Sequence, residues 1–369
     1  MDNMENNADQ VHKRRKRYSG THPKNFSEKY KEQNPEKYAD TVAKVISKGN
    51  TPAGMHISIM VNEVLDVLKI QPGEIGLDAT LGYGGHSRKM MDELKGCGHL
   101  YGLDVDPIEI VKTTDRLNKA GYTSEIFTSV RENFANIDSV SDKYGPFDFI
   151  MADLGVSSMQ IDNPERGFSY KLEGTLDLRL DPQKGIPARQ RLLEMDKDEL
   201  TGCFIENSDE PYSEEIANVL IQRRKKHIPV ETTTQLRNAI EEALGFTPGD
   251  NALYSKKKEI NNLSKDAKKE LIKKTCQRVF QAIRIDVNSE FEVLESFLTK
   301  LPDAMKPGAR VAILTFHSGE DRLVKKAFRE YSKQGVFSEI SDDVIRPSAQ
   351  ECRTNPRARS TKLRWAVKA

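Results

Sequence analysis

The chain has 369 residues, 37% hydrophobic and 31% charged, which suits a catalytic core with an insertion or appendage and is more polar than the usual globular mix. No run approaches the ~18 consecutive apolar residues of a membrane span, and the N-terminus is charged where a secretory signal would be apolar, so a cytosolic chain without a membrane partner is expected. The formal net charge of +1 hides a segregation: 1–50 carries 11 Lys/Arg against 7 Asp/Glu, 256–274 carries 8 against 3, and 346–369 carries 7 against 1, a distribution suited to a polyanion or simply to solvated surface.

In chain order, residues 1–51 form a basic extension with Lys13-Arg14-Arg15-Lys16-Arg17 and interleaved Tyr18, Phe26, Tyr30 and Tyr38. Such aromatics either stack on bases or dock the arm onto the main domain. Val61, Val64, Leu65 and Leu68 keep helix spacing, and Ile75 to Asp78 reads as a buried strand. Further strands are expected over His99 to Asp104, near Glu125 to Phe127, over Phe147 to Asp153, and, after a long interval, over Arg310 to Phe316. Helical patterns between them imply an α/β fold with a mostly parallel sheet covered on both faces. Residues 157–275 carry helix signals without strand alternation and are read as an inserted, mainly helical, substrate-binding domain. It would divide the main domain into 52–156 and 276–369, and its Lys-rich part near 256–274 is read as a flexible excursion.

The chemistry begins at Asp78-Ala-Thr80-Leu-Gly82-Tyr83-Gly84-Gly85-His86-Ser87, between a strand and a helix. Glycines there let backbone N–H groups approach a ligand, and the helix N-terminus favours an anionic group. Asp104, twenty residues after Gly84 at the end of the next strand, is placed to accept from a ribose diol. The spacing Asp78-x-Thr80-x-Gly82-x-Gly84 approximates the D-x-G-x-G-x-G of S-adenosylmethionine (AdoMet) methyltransferases better than the dinucleotide G-x-G-x-x-G, with Thr80 for the first glycine. Phe134 would pack adenine, and the methyl acceptor would sit where the fourth strand ends at Asp153. The D/N/S-P-P-Y tetrad of many amino-methyltransferases is absent. Cys97, Cys203, Cys276 and Cys352 have no CxxC pairing or histidine at ligand spacing, so no metal and no disulfide framework are expected, and no thiolate is placed for C5 methylation of cytosine.

Ordered blocks then carry a resemblance. These are Asp153-Leu-Gly-Val-Ser-Ser-Met-Gln160, Glu165-Arg-Gly-Phe-Ser169, Asp177-Leu-Arg-Leu-Asp181, Phe280-Gln-Ala-Ile-Arg-Ile-Asp-Val-Asn-Ser-Glu290, Phe316-His-Ser-Gly-Glu-Asp-Arg322 and Asn355-Pro-Arg-Ala-Arg-Ser-Thr-Lys-Leu-Arg364. From His56 to Lys368 the sequence resembles the RsmH (MraW) family of ribosomal RNA small-subunit methyltransferases, which methylate N4 of a decoding-region cytidine in 16S rRNA. The resemblance implies a class I Rossmann-like fold with a seven-stranded sheet. It also implies AdoMet as cofactor, contacted at Gly84, Gly85, His86, Asp104, Phe134, Asp153 and Gln160. The partner implied is 16S rRNA within the small ribosomal subunit, and a homodimer is allowed for. Tyr83 and Gly319 depart from the family pattern, as do the basic arm and the length of the insertion, which suggests a divergent or second paralogue.

Cytosine N4 needs a group to take its proton, and Asp153 is the expected acceptor. His317 either assists at the substrate or knits its own loop together. Arg284 and Asn288, on one helix with Asp286 and Glu290, are expected to line the cleft, with some of the four serving as salt-bridge partners rather than ligands. Arg357 and Arg359, with Lys362 and Arg364, either meet RNA phosphates or pair with the acidic core. Two other activities stay open: a non-catalytic AdoMet-binding RNA or ribosome assembly protein, and an amino-methyltransferase of another nucleic acid.

Overall fold

In the computed structural model, residues 58–248 and 256–369 are described; the N-terminal arm and the residues just after it lie outside them. The first half alternates helix and strand: α1 (Val61–Leu68), β1 (Ile75–Asp78), α2 (Gly85–Leu94), β2 (His99–Leu103), α3 (Pro107–Lys119), β3 (Phe127–Val130), α4 (Ile137–Tyr144) and β4 (Phe147–Asp153). Then come only helices: α5 (Ser158–Asp162), α6 (Ala188–Glu194), α7 (Lys197–Ser208), α8 (Ser213–Lys225), α9 (Thr233–Ala243), α10 (Lys258–Asn261), α11 (Lys265–Asn288) and α12 (Glu290–Lys300). The chain closes with β5 (Met305–Thr315), α13 (Ser318–Lys333), β6 (Phe337–Ile340), α14 (Ala349–Thr354) and β7 (Lys362–Lys368).

The strands form one seven-stranded sheet in the order β3-β2-β1-β4-β5-β7-β6. Five strands are parallel, and β7 runs antiparallel to both β5 and β6. Side chains along a strand alternate between its faces. Leu77, Ile150, Ala152, Val311 and Ile313 accordingly meet Val140 of α4, Phe297 of α12 and Phe328 of α13, whereas Leu100, Phe149, Met151, Ala312 and Leu314 meet Leu68 of α1, Met90 of α2 and Leu117 of α3. A register shift between Phe147 and Phe149 puts those two residues, same-facing in a regular strand, into opposite cores. This is the Rossmann-like architecture expected. Parallel strands bring the ends of β1, β2 and β4 to one edge, and the order reverses between β1 and β4, where ligands bind.

A separate core forms among Leu200, Phe204, Ile216, Leu220, Leu236, Ile240, Cys276, Val279, Phe280 and Ile283 of α7, α8, α9 and α11. The expected boundary at 275/276 falls inside the 24-residue helix α11. The helical unit runs to Asn288, where Ser289 turns left-handed with φ 48°. The Lys-rich stretch near 256–274 is largely helix rather than a flexible excursion, because Ile260 and Ile272 anchor it in this core. Of the seven strands expected, β6 and β7 had no assigned position: β7 reads Lys-Leu-Arg-Trp-Ala-Val-Lys, and its buried Arg364 masks the apolar alternation. Among the described residues no helix is long and apolar enough to cross a membrane.

Candidate active site

The turn after β1 is tied down from three sides. Asp78 is buried, and its Oδ1 accepts from the Thr80 amide at 3.1 Å while its Oδ2 accepts from Ser87 Oγ at 2.5 Å, coupling the strand to the first turn of α2. Burial raises its carboxyl above the ordinary range, against the pull of Ser87 and His86. Thr80, which replaces the first glycine of the motif, accepts the Asp153 amide on its Oγ1 at 2.6 Å, so the substitution welds the turn to β4. Gly84 caps α2 with φ 79°. A Cβ there would lie 2.9 Å from Thr113 Cγ2, and one on Gly85 would lie 1.9 Å from Ser58 Oγ, so this cradle admits only backbone.

Asp104 faces the turn from the end of β2. Its Oδ2 accepts from the Gly82 amide at 3.0 Å and its Oδ1 from the Asp106 amide at 2.9 Å. Each oxygen keeps a second lone pair for a diol. Burial pushes its carboxyl up to about 7, with the neighbouring Asp106 and Glu109 adding to the rise and the two amides opposing it. Phe134, in a single turn of 3₁₀ helix after β3, is half-buried and packs edge-on against Phe297, with ring centroids 5.2 Å apart. The Tyr83 departure has a local cause: Arg116 lies 3.6 Å over the Tyr83 ring and donates to its carbonyl at 2.8 Å.

Asp153 ends β4 with Oδ1 buried and without a hydrogen-bond partner, while Oδ2 lies 3.5 Å from His86 Nδ1. Burial pushes its carboxyl up to about 6; His86 pulls against this, and Asp78 and Glu320 push with it. His86 is itself buried, and its Nε2 bonds the Ile59 carbonyl at 2.9 Å. A carbonyl only accepts, so Nε2 carries the proton and Nδ1 presents a lone pair to Asp153 unless the ring is cationic.

Gln160 sits on α5 with its amide engaged on both ends: Oε1 accepts from the Ser157 amide at 3.0 Å in a capping box, and Nε2 donates to Asp106 Oδ2 at 3.2 Å. Asp106 is the residue that sequence inspection missed. Fully buried, it caps α3 through Oδ1 and takes Arg166 Nη1 on Oδ2 at 2.6 Å, joining β2, α3, α5 and the Glu165-Arg-Gly block. The dipeptide Asp106-Pro107, a cap followed by proline in the first helical turn, was the available signal.

The expected substrate residues divide. Arg284 is held bidentate by Glu290 at 2.8 and 2.9 Å. Asn288 donates to the Leu178 and Arg284 carbonyls and accepts from the Leu180 amide, all within 2.8 Å. Asn288 therefore braces the Asp177-Leu-Arg-Leu-Asp segment, and Arg284 is engaged by Glu290 across the break between α11 and α12. Glu290 belongs to α12 because Ser289 breaks the helix, and Asp286 pairs with Arg191. Lys362 and buried Arg364 pair with Asp321 at 2.6 and 2.7 Å, which assigns them to the acidic core. Arg357 and Arg359 are exposed; Arg357 reaches Asp162 at 3.1 Å, at the end of the helix bearing Gln160.

His317 caps α13, with Nδ1 accepting from the Glu320 amide at 3.5 Å and Nε2 lying 3.2 Å from Glu320 Oε1. Glu320 is buried, yet its carboxyl is lowered, because bonding from His317 and the Phe316 amide and the charge of Arg284 outweigh desolvation. Glu290, His317 and Glu320 bring ligand atoms within 4.8 Å of one another. Both Glu290 oxygens are taken by Arg284, whose guanidinium supplies the charge a cation would bring. Gly319, the second departure, has the Phe291 ring 2.6 Å from where a Cβ would stand. Burial also pushes the Cys203 and Cys276 thiols up to about 12, consistent with inert structural cysteines.

The MraW methylase family model matches residues 53–369. Ribosomal RNA small subunit methyltransferase H 1 of Lachnoclostridium phytofermentans is 60% identical over 363 residues, covering 98% of this chain and 95% of its own. Ribosomal RNA small subunit methyltransferase H 2 of Alkaliphilus metalliredigens is 57% identical over 363 residues, covering 98% and 99%. Coverage this complete extends into the basic arm, which is therefore shared with these relatives. Among solved structures, a methyltransferase homologue from Pyrococcus horikoshii aligns with 85% of this chain and 68% of its own at 10% identity and a TM-score of 0.39.

Proposed function

The chain belongs to the MraW methylase family, and from that premise we propose that it transfers the methyl group of AdoMet to N4 of a cytidine in the decoding region of 16S rRNA. The substrate is the rRNA within the small ribosomal subunit, in the cytoplasm, and the basic arm adds affinity for it. The observation that carries this reading is the buried, unpartnered Oδ1 of Asp153 at the edge where the sheet order reverses.

The residues present fit the cofactor. Asp104 keeps acceptor capacity at the end of β2, Asp153 holds an unpartnered Oδ1 at the end of β4, and a Cβ on Gly82 of the turn beside them would meet nothing closer than the Thr80 carbonyl at 3.7 Å. When bound, AdoMet supplies an electrophilic methyl on a sulfonium. The chain's own task is to orient the cytosine amine and remove its proton. The N4 lone pair is delocalised into the ring, so the nitrogen becomes a usable nucleophile only as it pyramidalises and sheds charge. Asp153 Oδ1 accepts that proton, and its elevated affinity for protons makes it a better base than an exposed aspartate. His86, locked with Nε2–H on the Ile59 carbonyl, shares the proton through Nδ1 and Oδ2. Gln160 and Arg166 act at one remove by fixing Asp106 and thereby the end of β2.

Radiolabelled transfer to small subunits, naked 16S rRNA and duplex DNA in parallel tests the proposal. N4-methylcytidine forms on the subunit. AdoMet binding without transfer to any of the three would instead favour an assembly protein, and product on duplex DNA would overturn the substrate class.

A further inference from the structure

Helix α13 carries Arg322, Lys325, Lys326, Arg329 and Lys333, outside every basic segment visible from composition. At ~100° per residue, Arg322, Lys326, Arg329 and Lys333 fall within a sector of about 60°. All four are exposed, and among the described residues none has an ion-pair or side-chain hydrogen-bond partner. The acids of the same helix are arranged the other way. Glu320 and Asp321 are buried and consumed by His317, Lys362 and Arg364, while exposed Glu330 is bonded by Gln334. Lone exposed lysines are ordinary surface; four aligned, unpaired cations on the outer face of a helix that buries two of its three acids are not.

Position gives the stripe a direction. His317 caps this helix immediately beyond β5, and Leu314 of β5 is in register with Asp153 of β4. The stripe therefore starts about one turn from the edge that holds Asp153 and extends for about 16 Å at 1.5 Å per residue, with successive cations ~4.5 to 6 Å apart. We propose that this outer face of α13 is a phosphate-binding track, engaging the rRNA backbone on one side of the target nucleotide while the base approaches the sheet edge that holds Asp153. The partner is a phosphodiester chain rather than a protein surface because the face offers cations and no apolar anchor: the positions between them are Leu323 and Ala327, half-buried, and Val324 and Phe328, buried in the core.

The inference rests on rRNA as the substrate, and binding separates it from turnover. The variant Arg322→Gln/Lys326→Gln/Arg329→Gln/Lys333→Gln is compared with a charge-preserving set, Arg322→Lys/Lys326→Arg/Arg329→Lys/Lys333→Arg, for binding to naked 16S rRNA and to small subunits from 50 to 300 mM salt. Each lost phosphate contact removes ~0.7 to 0.9 from the slope of log affinity against log salt, so the neutral variant should lose about 3. At 0.1 M salt that corresponds to as much as a thousandfold in affinity. AdoMet binding should be unchanged and the charge-preserving set should keep the wild-type slope. The two-site variant Arg322→Gln/Lys326→Gln should lose about half as much, which guards against a fold defect in the fourfold change. An unchanged slope overturns the proposal, as does a loss of subunit binding with naked rRNA binding intact, which would mark a ribosomal-protein contact. A changed slope in a protein that forms no N4-methylcytidine would keep the track and reject the proposed reaction.

Discussion

Replacing Asp153 with asparagine should make the protein more stable and nearly inactive, and the two effects share one cause. An ordinary aspartate titrates near 3.8, and burial pushes Asp153 up to about 6. Holding the ionised form at that site therefore costs the folded chain about 3 kcal/mol at pH 8. The sign follows from proton binding. Below about pH 4 both folded and unfolded chains are protonated and nothing is lost; from there to about 6 the unfolded chain ionises first, so stability declines; above 6 the whole penalty is present. Asp153→Asn removes the charge and keeps the shape. Chemical denaturation without AdoMet should show the variant gaining up to about 3 kcal/mol at pH 8 and converging with the parent near pH 4. Single-turnover transfer should fall by ~10² to 10⁴, the usual contribution of a positioned base. The parent's kcat/KM should decline as the pH drops through about 6, where the acceptor becomes occupied. A variant of unaltered stability and full activity would refute both the burial argument and the proton-acceptor role.

Asp104→Ala should weaken AdoMet binding by about 10- to 100-fold, the equivalent of ~1.5 to 3 kcal/mol in charge-assisted hydrogen bonds, as read by calorimetry. Because Asp104 titrates at about 7, AdoMet affinity of the parent should fall as the pH drops through that value, and Asp104→Asn should flatten the dependence. Arg166→Ala leaves the buried Asp106 carboxylate without its closest partner and should cost ~3 to 5 kcal/mol in denaturation, a loss no RNA contact would explain. Asn288→Ala should lower stability through three lost hydrogen bonds while leaving rRNA affinity at a fixed salt concentration unchanged under conditions where the variant is folded; a weakened affinity there would restore Asn288 as a direct contact.

Strand β4 was legible to the residue, because seven residues bounded by Pro146 and Leu154 read as a buried strand and are one. The turn at Gly84 to His86 and the strand-end place of Asp104 were legible for a related reason: their geometry is local, set by backbone shape at strand ends. Long-range pairing was what failed to read. Arg364 could be read as a phosphate contact or as a partner of the acidic core until Asp321, 43 residues away, came to face it, and Asn288 looked like a cleft residue until the Leu178 and Leu180 backbone folded onto its amide. The N-terminal end of α11 was not read because its Lys-rich first turns carry few apolar residues, so the helical pattern showed only from Cys276 onward. Lys326 and Lys333 show the converse case: unremarkable in composition, they form a stripe only once the helix is wound.

The central claim is the identity of the methylated atom. Small subunits isolated without this modification would be incubated with the full-length protein and AdoMet bearing a deuterated methyl, then digested to fragments and nucleosides for mass spectrometry. The label is expected on N4 of one cytidine in a decoding-region fragment. Label on cytosine C5, on another nucleotide, or on no nucleotide at all would contradict it.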